Sequence, residues 1–276
     1  MYRERQSDAH PDLTVWTRTV SLHTGSMHTT SIHTTSIHTT SIHTTSTRTP
    51  QTGTSRILPD GCLDVIWTGG ALLVAGPDTR AHLFPDDAGA EYAGIRFAPG
   101  TGPVLLGIPA CELRDQRVPL SAIWTEAETR RLEERVGAAG DQIDSVASVL
   151  EHAAVTRLRA ADSADPVVRV VARGLAAGAS VAQTALIVGL SDRQLYRRSL
   201  TAYGYGPKTL ARILRFNRAL DLARAGMPFA DVATTAGYSD QAHLSREVRD
   251  FAGLSLSALL APPTAPGDPQ APEVGA

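Results

Sequence analysis

Residues 181–208 read VAQTALIVGLSDRQLYRRSLTAYGYGPK, and this stretch decides the fold of the C-terminal half of the chain. The pattern predicts a helix, a tight turn at residues 189–191, and a second helix. Ala185 lies four residues before Gly189, and Leu195 lies six residues after it. This spacing lets two helices cross closely over a small side chain and lock through one apolar residue. The stretch is therefore predicted to form a helix-turn-helix unit.

The second helix of this unit carries a basic face. Arg193, Tyr196 and Arg197 fall at positions i, i+3 and i+4, so they share one side of the helix, whereas Leu195 points inward. A basic helix presented by such a turn fits the DNA major groove, where one Arg binds guanine O6 and N7 together. On these residues alone, the alternative is an Arg-rich helix face that contacts only solvent.

A second copy of the pattern occupies residues 228–253, which read PFADVATTAGYSDQAHLSREVRDFAG. Ala233 lies four residues before Gly237, and a turn that is one residue longer leads into a helix with Leu244 on its inner side. The sequence therefore predicts two helix-turn-helix units in tandem.

Alignment of the two units on their inward leucines places Ser245 opposite Tyr196 and Arg246 opposite Arg197. Between the units, residues 209–226 form a predicted long helix without proline, which would fix one unit relative to the other. Two recognition helices held in this way can enter successive major grooves about 34 Å apart on one face of DNA.

The charge of the chain is divided between its two halves. The formal net charge is -2, but 12 Arg and Lys stand against 7 acidic residues from 165 to 260, so this part carries +5 and the rest carries -7. This division indicates that only the C-terminal part meets a polyanion.

Composition excludes several classes of protein. The two cysteines, Cys62 and Cys111, are too few for a disulfide framework or a cysteine-built zinc site, which favours a reducing compartment. No apolar run approaches the roughly 20 residues of a membrane helix, and the polar N-terminus lacks the core of a signal peptide. A cytoplasmic location is therefore expected.

A pentapeptide repeat interrupts the N-terminal half at residues 21–50. It places histidines five residues apart, at His23, His28, His33, His38 and His43. A period of five fits neither a half-buried strand nor a helix face, so an extended or flexible loop is favoured. Metal binding by the histidines is the less favoured alternative.

The rest of the N-terminal half is rich in predicted strands. Residues 1–20 end in a β-branched run, and residues 51–124 contain a turn signal at 59–61 and strand patterns at 62–67, 71–77 and 91–100. Short strands at this spacing predict a small β-barrel or sandwich.

Helical patterns follow at residues 125–164, beginning with the capping-box spacing of Thr125 and Glu128. These helices could cover the β domain, link it to the second domain as a helical linker, or pair two subunits. The tail, residues 261–276, repeats Pro, Gly and Ala and is predicted to be disordered.

Two charged residues in the β domain are candidates for binding a small ligand. Asp64 lies on one face of a predicted strand with Cys62, and Arg96 lies between two apolar residues of another strand. A structural carboxylate and a structural salt bridge are the favoured alternatives. Cys62 is interpreted as a small buried apolar residue.

Residues 166–254 resemble the DNA-binding domain of the AraC/XylS family of bacterial transcription regulators. The resemblance is carried by LSDRQLYRRS, GYGPKTLARILRFNRAL and AGYSDQAHLSREV. The segments RILPDGCLDVIW, GIRFAPG and PACELRDQRVPLSAIW resemble an uncharacterised β-rich domain often found in front of it. The implied fold is α+β: an N-terminal cupin-like barrel or sandwich, a helical linker, and an all-α domain with two helix-turn-helix units joined by a long helix.

The resemblance also implies which residues contact DNA. The base-facing residues would be Arg193, Tyr196 and Arg197 in the first unit, and Ala242, His243, Ser245 and Arg246 in the second, with Gln241 near the helix start contacting phosphate or base. Arg198 and Lys208 would contact phosphate or form internal salt bridges. Ser199 stands where the family usually has Phe, which would thin the core of the first unit, and Leu256 stands where Pro is usual.

The expected function is a sequence-specific DNA-binding transcription regulator without enzymatic activity, cofactor or metal. Its implied partners are double-stranded DNA, RNA polymerase, a small-molecule effector and a second copy of the chain, but no membrane. The alternatives are a DNA-targeted enzyme and a metal sensor that uses the His repeat.

Overall fold

The computed structural model describes residues 1–20, 47–49, 54–85, 87, 89–161 and 165–261. Most of the His repeat and the predicted disordered tail after residue 261 lie outside the described residues. Within the described residues, no helix is long and apolar enough to cross a membrane.

The N-terminal half contains two antiparallel sheets. The strands are β1 (Tyr2–Gln6), β2 (Leu13–Thr19), β3 (Thr47–Thr49), β4 (Thr54–Ile57), β5 (Leu63–Trp67), β6 (Leu72–Ala75), β7 (His82–Pro85), β8 (Glu91–Phe97) and β9 (Arg117–Pro119). One sheet has the order β1-β2-β8-β5-β6-β9, and the other has the order β3-β4-β7. The strand patterns at 62–67, 71–77 and 91–100 correspond to β5, β6 and β8.

The two faces of the six-stranded sheet have different partners because side chains alternate along each strand. On one face, Leu63 and Val65 of β5 share a core with Leu150. On the other face, Tyr92 of β8 packs edge-on against Phe84 of β7, with ring centroids 5.3 Å apart. The two sheets therefore face each other as in a sandwich.

Three helices belong to the N-terminal half: α1 (Gly102–Leu106), α2 (Glu126–Ala138) and α3 (Ile143–Ala160). The predicted capping box is present, since Thr125 Oγ1 accepts from the Glu128 amide and the Glu128 carboxylate accepts from the Thr125 amide. Leu132 of α2 and Leu150 of α3 lie in the core of the six-stranded sheet. Of the roles left open for residues 125–164, the structure shows that these helices cover the sheet.

The C-terminal half is entirely helical within the described residues. Its helices are α4 (Pro166–Ala176), α5 (Val181–Ile187), α6 (Asp192–Tyr203), α7 (Pro207–Arg224), α8 (Phe229–Ala236), α9 (Gln241–Ala252) and α10 (Leu256–Leu260). α5 and α6 form the first predicted unit, α8 and α9 form the second, and α7 joins them. The inward leucines, Leu195 and Leu244, are each 1% exposed and lie in one continuous core.

The two halves are packed against each other around α7. Leu58, which follows β4, is buried in the core of the helical half. The side-chain amide of Asn217, in α7, donates to the backbone oxygen of Pro59 at 3.0 Å, and this bond is buried. The segment after β4 is thus part of the interface between the domains.

Candidate nucleic-acid interface

The two turns between the paired helices are closed by the same backbone hydrogen bond. The Leu190 amide donates to the oxygen of Ala185 at 3.0 Å, and the Tyr238 amide donates to the oxygen of Ala233 at 2.8 Å. The glycine of each turn has a positive φ, +66° at Gly189 and +86° at Gly237. This left-handed conformation favours glycine and ends the first helix of each unit.

Side chains fix the first turn of each second helix, α6 and α9. Ser191 and Gln194 form a capping box at the start of α6. At α9, the carboxylate of Asp240 accepts from the His243 amide at 2.6 Å and from Ser239 Oγ at 3.1 Å. These hydrogen bonds lower the pKa of Asp240. Counted from the glycine, the second turn is one residue longer than the first, as predicted, because α6 begins three residues after Gly189 and α9 begins four residues after Gly237.

The first unit presents three of its predicted DNA contacts to solvent. Arg193 and Arg197 are exposed, and their side chains have no hydrogen bond or ion pair within the described residues. Tyr196 is 52% exposed, and its ring lies so close to Gly206 that an added Cβ there would be 2.6 Å from Cε2. Arg198 differs, because its Nη1 lies 2.9 Å from Oδ2 of Asp165. Arg198 thus forms the internal salt bridge that was one of its two predicted roles.

The second unit divides its predicted contacts in a similar way. Arg246 is exposed, as are Gln241 and Ala242, whereas Ser245 is half-buried. His243 packs edge-on against Tyr238, with ring centroids 5.1 Å apart. Its Nδ1 lies 3.1 Å from Ser239 Oγ. His243 therefore has internal partners, while Arg246 has none within the part of the chain that the structure describes.

A buried carboxylate joins α9 to α7. Glu247 Oε1 accepts from Arg215 Nη2 at 2.9 Å, and Glu247 Oε2 accepts from Arg212 Nε at 3.2 Å. The guanidinium of Arg215 also lies 4.4 Å from the centre of the Tyr238 ring. Burial, followed by the charge of Glu247, raises the pKa of Tyr238.

The role of Glu247 was not predicted, although the sequence holds a signal for it. Leu244, Glu247, Val248 and Phe251 fall at i, i+3, i+4 and i+7, so Glu247 occupies the apolar face of α9. An acid at such a position is expected to have a cationic partner on the neighbouring helix.

The two candidate ligand residues lie together at the domain boundary. Arg96 Nε is 3.3 Å from Asp64 Oδ1 and 3.3 Å from Asp60 Oδ2, and the Trp16 indole donates to Asp64 Oδ1 at 2.8 Å. Burial raises the pKa of Asp60 to about 6. Arg96 Nη1 is buried without a hydrogen-bond partner. The two predicted residues thus belong to one buried ion cluster.

A groove elsewhere in the N-terminal half is large enough for a small molecule. It has a volume of about 360 Å³ between β1, β2 and α3, and Asp64 and Arg96 do not line it. Across the described ranges, no three His, Cys, Asp or Glu side chains come together as metal ligands. The five repeat histidines, at positions 23 to 43, lie outside these ranges.

Comparison with known protein families gives one match in each half of the chain. Residues 171–261 match the family model "Helix-turn-helix domain", and residues 37–119 match the model "Domain of unknown function (DUF6597)". No curated protein matches the chain.

Several solved structures are similar to it. A probable AraC family transcriptional regulator from Rhodopseudomonas palustris has 24% identity, with 35% of this chain and 95% of that chain covered and a TM-score of 0.32. ToxT from Vibrio cholerae has 10% identity, with 76% and 97% covered and a TM-score of 0.39, and an apo variant of ToxT has 11% identity, with 77% and 98% covered and a TM-score of 0.42. By the family models, the chain contains a helix-turn-helix domain at residues 171–261, preceded by a region at residues 37–119 that matches a domain of unknown function.

Proposed function

We propose that the chain is a DNA-binding transcription regulator that binds a specific DNA sequence by inserting α6 and α9 into successive major grooves. One observation carries the proposal: two recognition helices with matched turns each present an exposed, unpaired arginine, Arg197 and Arg246, from one continuous core. A guanidinium without an internal partner is available to bind the edge of a guanine. The α7 helix joins the two units.

The proposed base contacts are those of the sequence-based expectation. In the first unit they are Arg193, Tyr196 and Arg197, and in the second they are Ala242, His243, Ser245 and Arg246, with Gln241 contacting phosphate or base. His243 can reach DNA only from its exposed edge, because the rest of its ring packs against Tyr238. Arg198 supports the helix through Asp165, and Lys208 is proposed to contact a phosphate.

Selection of DNA from a random-sequence pool tests this proposal. The full chain should enrich a sequence with two boxes about one helical turn apart. Its affinity for the selected DNA should fall steeply with salt, because phosphate contacts release counterions. Binding that is indifferent to sequence would contradict the proposal.

Replacement of Arg197 tests a single base contact. Arg197→Ala should cost about 1 to 3 kcal/mol on the selected DNA and relax the preference at one base position. Arg173→Ala is the matched control, since Arg173 is exposed on α4, outside both recognition helices. An equal loss on every sequence would instead make Arg197 a phosphate contact.

We further propose that the N-terminal domain modulates DNA binding in the cytoplasm, with an effector, RNA polymerase and a second copy of the chain as partners. The buried interface around Asn217 supports this proposal, because a conformational change in one domain can be transmitted to the other through this contact. A small-molecule effector should raise the unfolding temperature of the full chain in a concentration-dependent manner. The proposed function does not include enzymatic activity.

A further inference from the structure

We propose that the N-terminal domain holds the C-terminal ends of both recognition helices and thereby sets the spacing between the two DNA boxes that the chain accepts. This inference rests on the proposed function and assigns a positioning role to Arg56. Two sets of contacts carry it, one at the end of each recognition helix.

At the end of α9, two successive backbone oxygens accept hydrogen bonds from the N-terminal domain. Arg56 Nη1, from β4, donates to the oxygen of Ala252 at 2.5 Å, and the amide of Ala81, just before β7, donates to the oxygen of Phe251 at 2.6 Å. Arg56 lies in the three-stranded sheet, and Ala81 directly precedes one of the strands of that sheet. Gly253, which ends α9, would place an added Cβ 3.3 Å from Arg56 Nη1.

At the end of α6, the N-terminal domain makes a corresponding contact. Arg114 Nη1 donates to the oxygen of Gly204, which ends this helix, at 3.5 Å. A Cβ added to Gly204 would lie 2.6 Å from Cγ of Pro77 and 3.1 Å from the oxygen of Ala110. The two domains approach each other closely here, although the hydrogen bond itself is longer than the one from Arg56.

These contacts lie where a helix has unsatisfied acceptors. The last four carbonyl groups of a helix have no partner within it, and the helix dipole favours a cation at this end. Arg56 is only 9% exposed, and its Nε is buried without a partner. Ala252 O is the one hydrogen-bond partner described for this guanidinium. We therefore assign to Arg56 the role of binding the end of α9.

The contacts leave the DNA-facing ends of the helices free. Arg193 and Arg197 lie in the first half of α6, whereas Gly204 follows its last residue. The recognition helices of helix-turn-helix proteins contact bases mainly through their N-terminal residues. A support at the opposite end fixes the direction of each helix without competing with DNA. The end of α9 contacts the three-stranded sheet, and the end of α6 contacts Pro77 and Ala110. Because both contacts come from the N-terminal domain, this domain fixes the direction of one recognition helix relative to the other.

The test compares binding of full-length variants to DNA with altered box spacing. The DNA series contains the selected site, the same site with one or two base pairs inserted between the boxes, and a site with one box only. Arg56→Met removes the donor but keeps a long apolar side chain, and Arg56→Lys restores a cationic donor. Arg80→Ala is the matched control, because Arg80 is exposed one residue before Ala81 and has no ion pair within the described ranges.

The wild-type chain should lose about tenfold or more in affinity when the spacing changes, since simultaneous engagement of both boxes depends on geometry. Arg56→Met should bind the one-box site as the wild type does but should lose most of this discrimination. Arg56→Lys should recover part of it, and Arg80→Ala should match the wild type. A general loss of folding would instead weaken binding to every DNA in the series.

Three outcomes would overturn the inference. The spacing preference of Arg56→Met could equal that of the wild type, its affinity could fall equally for one-box and two-box sites, or its affinity could rise equally for all spacings. Failure of the proposed function is distinguishable, because no DNA sequence would then be selected by the wild-type chain.

Discussion

The buried carboxylate of Glu247 should be a major source of stability in the second helix-turn-helix unit. Its side chain is 5% exposed, whereas its partners Arg215 and Arg212 are 29% and 45% exposed. Removing one partner of a buried ion pair typically costs about 3 to 5 kcal/mol. Because both arginines can regain part of their hydration, we expect Glu247→Ala to lower the free energy of unfolding by about 3 kcal/mol, at the low end of that range.

Urea denaturation followed by far-ultraviolet circular dichroism measures this loss as a lower transition midpoint. Asp250→Ala is the matched control: it removes an acid from the same helix, but Asp250 is 68% exposed and its oxygen lies 3.6 Å from Arg212 Nη2. The control should cost less than about 1 kcal/mol. Glu247→Gln should fall between the two, since the amide oxygen still accepts a hydrogen bond. A loss below about 1 kcal/mol for Glu247→Ala would refute the argument that this network joins α9 to α7.

Two further predictions concern single side chains. Ser199 is fully buried, and its hydroxyl has no hydrogen-bond partner. Ser199→Ala should therefore raise the free energy of unfolding by about 1 kcal/mol. An unchanged or lower urea midpoint would contradict this expectation. Burial raises the pKa of Asp60 to about 6, above the value of about 3.9 in an unfolded chain, so its ionisation weakens the folded state as pH rises through this interval. The free energy of unfolding of Asp60→Asn, measured relative to the wild type, should therefore increase between pH 4.5 and pH 7.5, and a constant difference would argue against a raised pKa.

The sequence was sufficient to predict the helical half in detail because its signals are local. Glycine with a positive φ ends each first helix, a small residue lies four positions earlier, and a leucine fills the contact between the helices. Each of these features acts within about ten residues, so spacing alone reveals it. The observed turns at Gly189 and Gly237 follow directly from this pattern.

The contacts between the domains could not be predicted in this way. Arg56 and Ala252 are 196 positions apart, and Asn217 and Pro59 are 158 apart. Nothing in the residues around Arg56 indicates a helix end as its partner, because the helix offers only backbone oxygens. The cluster of Asp64 and Arg96 could be predicted only in part. Both residues were named as candidates from the sequence. Their pairing, however, depends on the register of β5 and β8, which places Asp64 opposite Arg96.

The same limit applies to the charge argument for DNA binding. The excess of cations from 165 to 260 predicted that this part of the chain meets a polyanion, and the structure places several of these arginines in ion pairs with acids: Arg169, Arg198, Arg212, Arg215 and Arg224. Arg193, Arg197 and Arg246 have no such partner within the described residues, and all three lie on the recognition helices. The distribution of the cations is therefore a better guide to DNA binding than the net charge of this segment. Since internal pairs hold the cations that support the fold, the arginines proposed to contact bases remain available to DNA, which favours the proposed sequence-specific recognition over general attraction to phosphate.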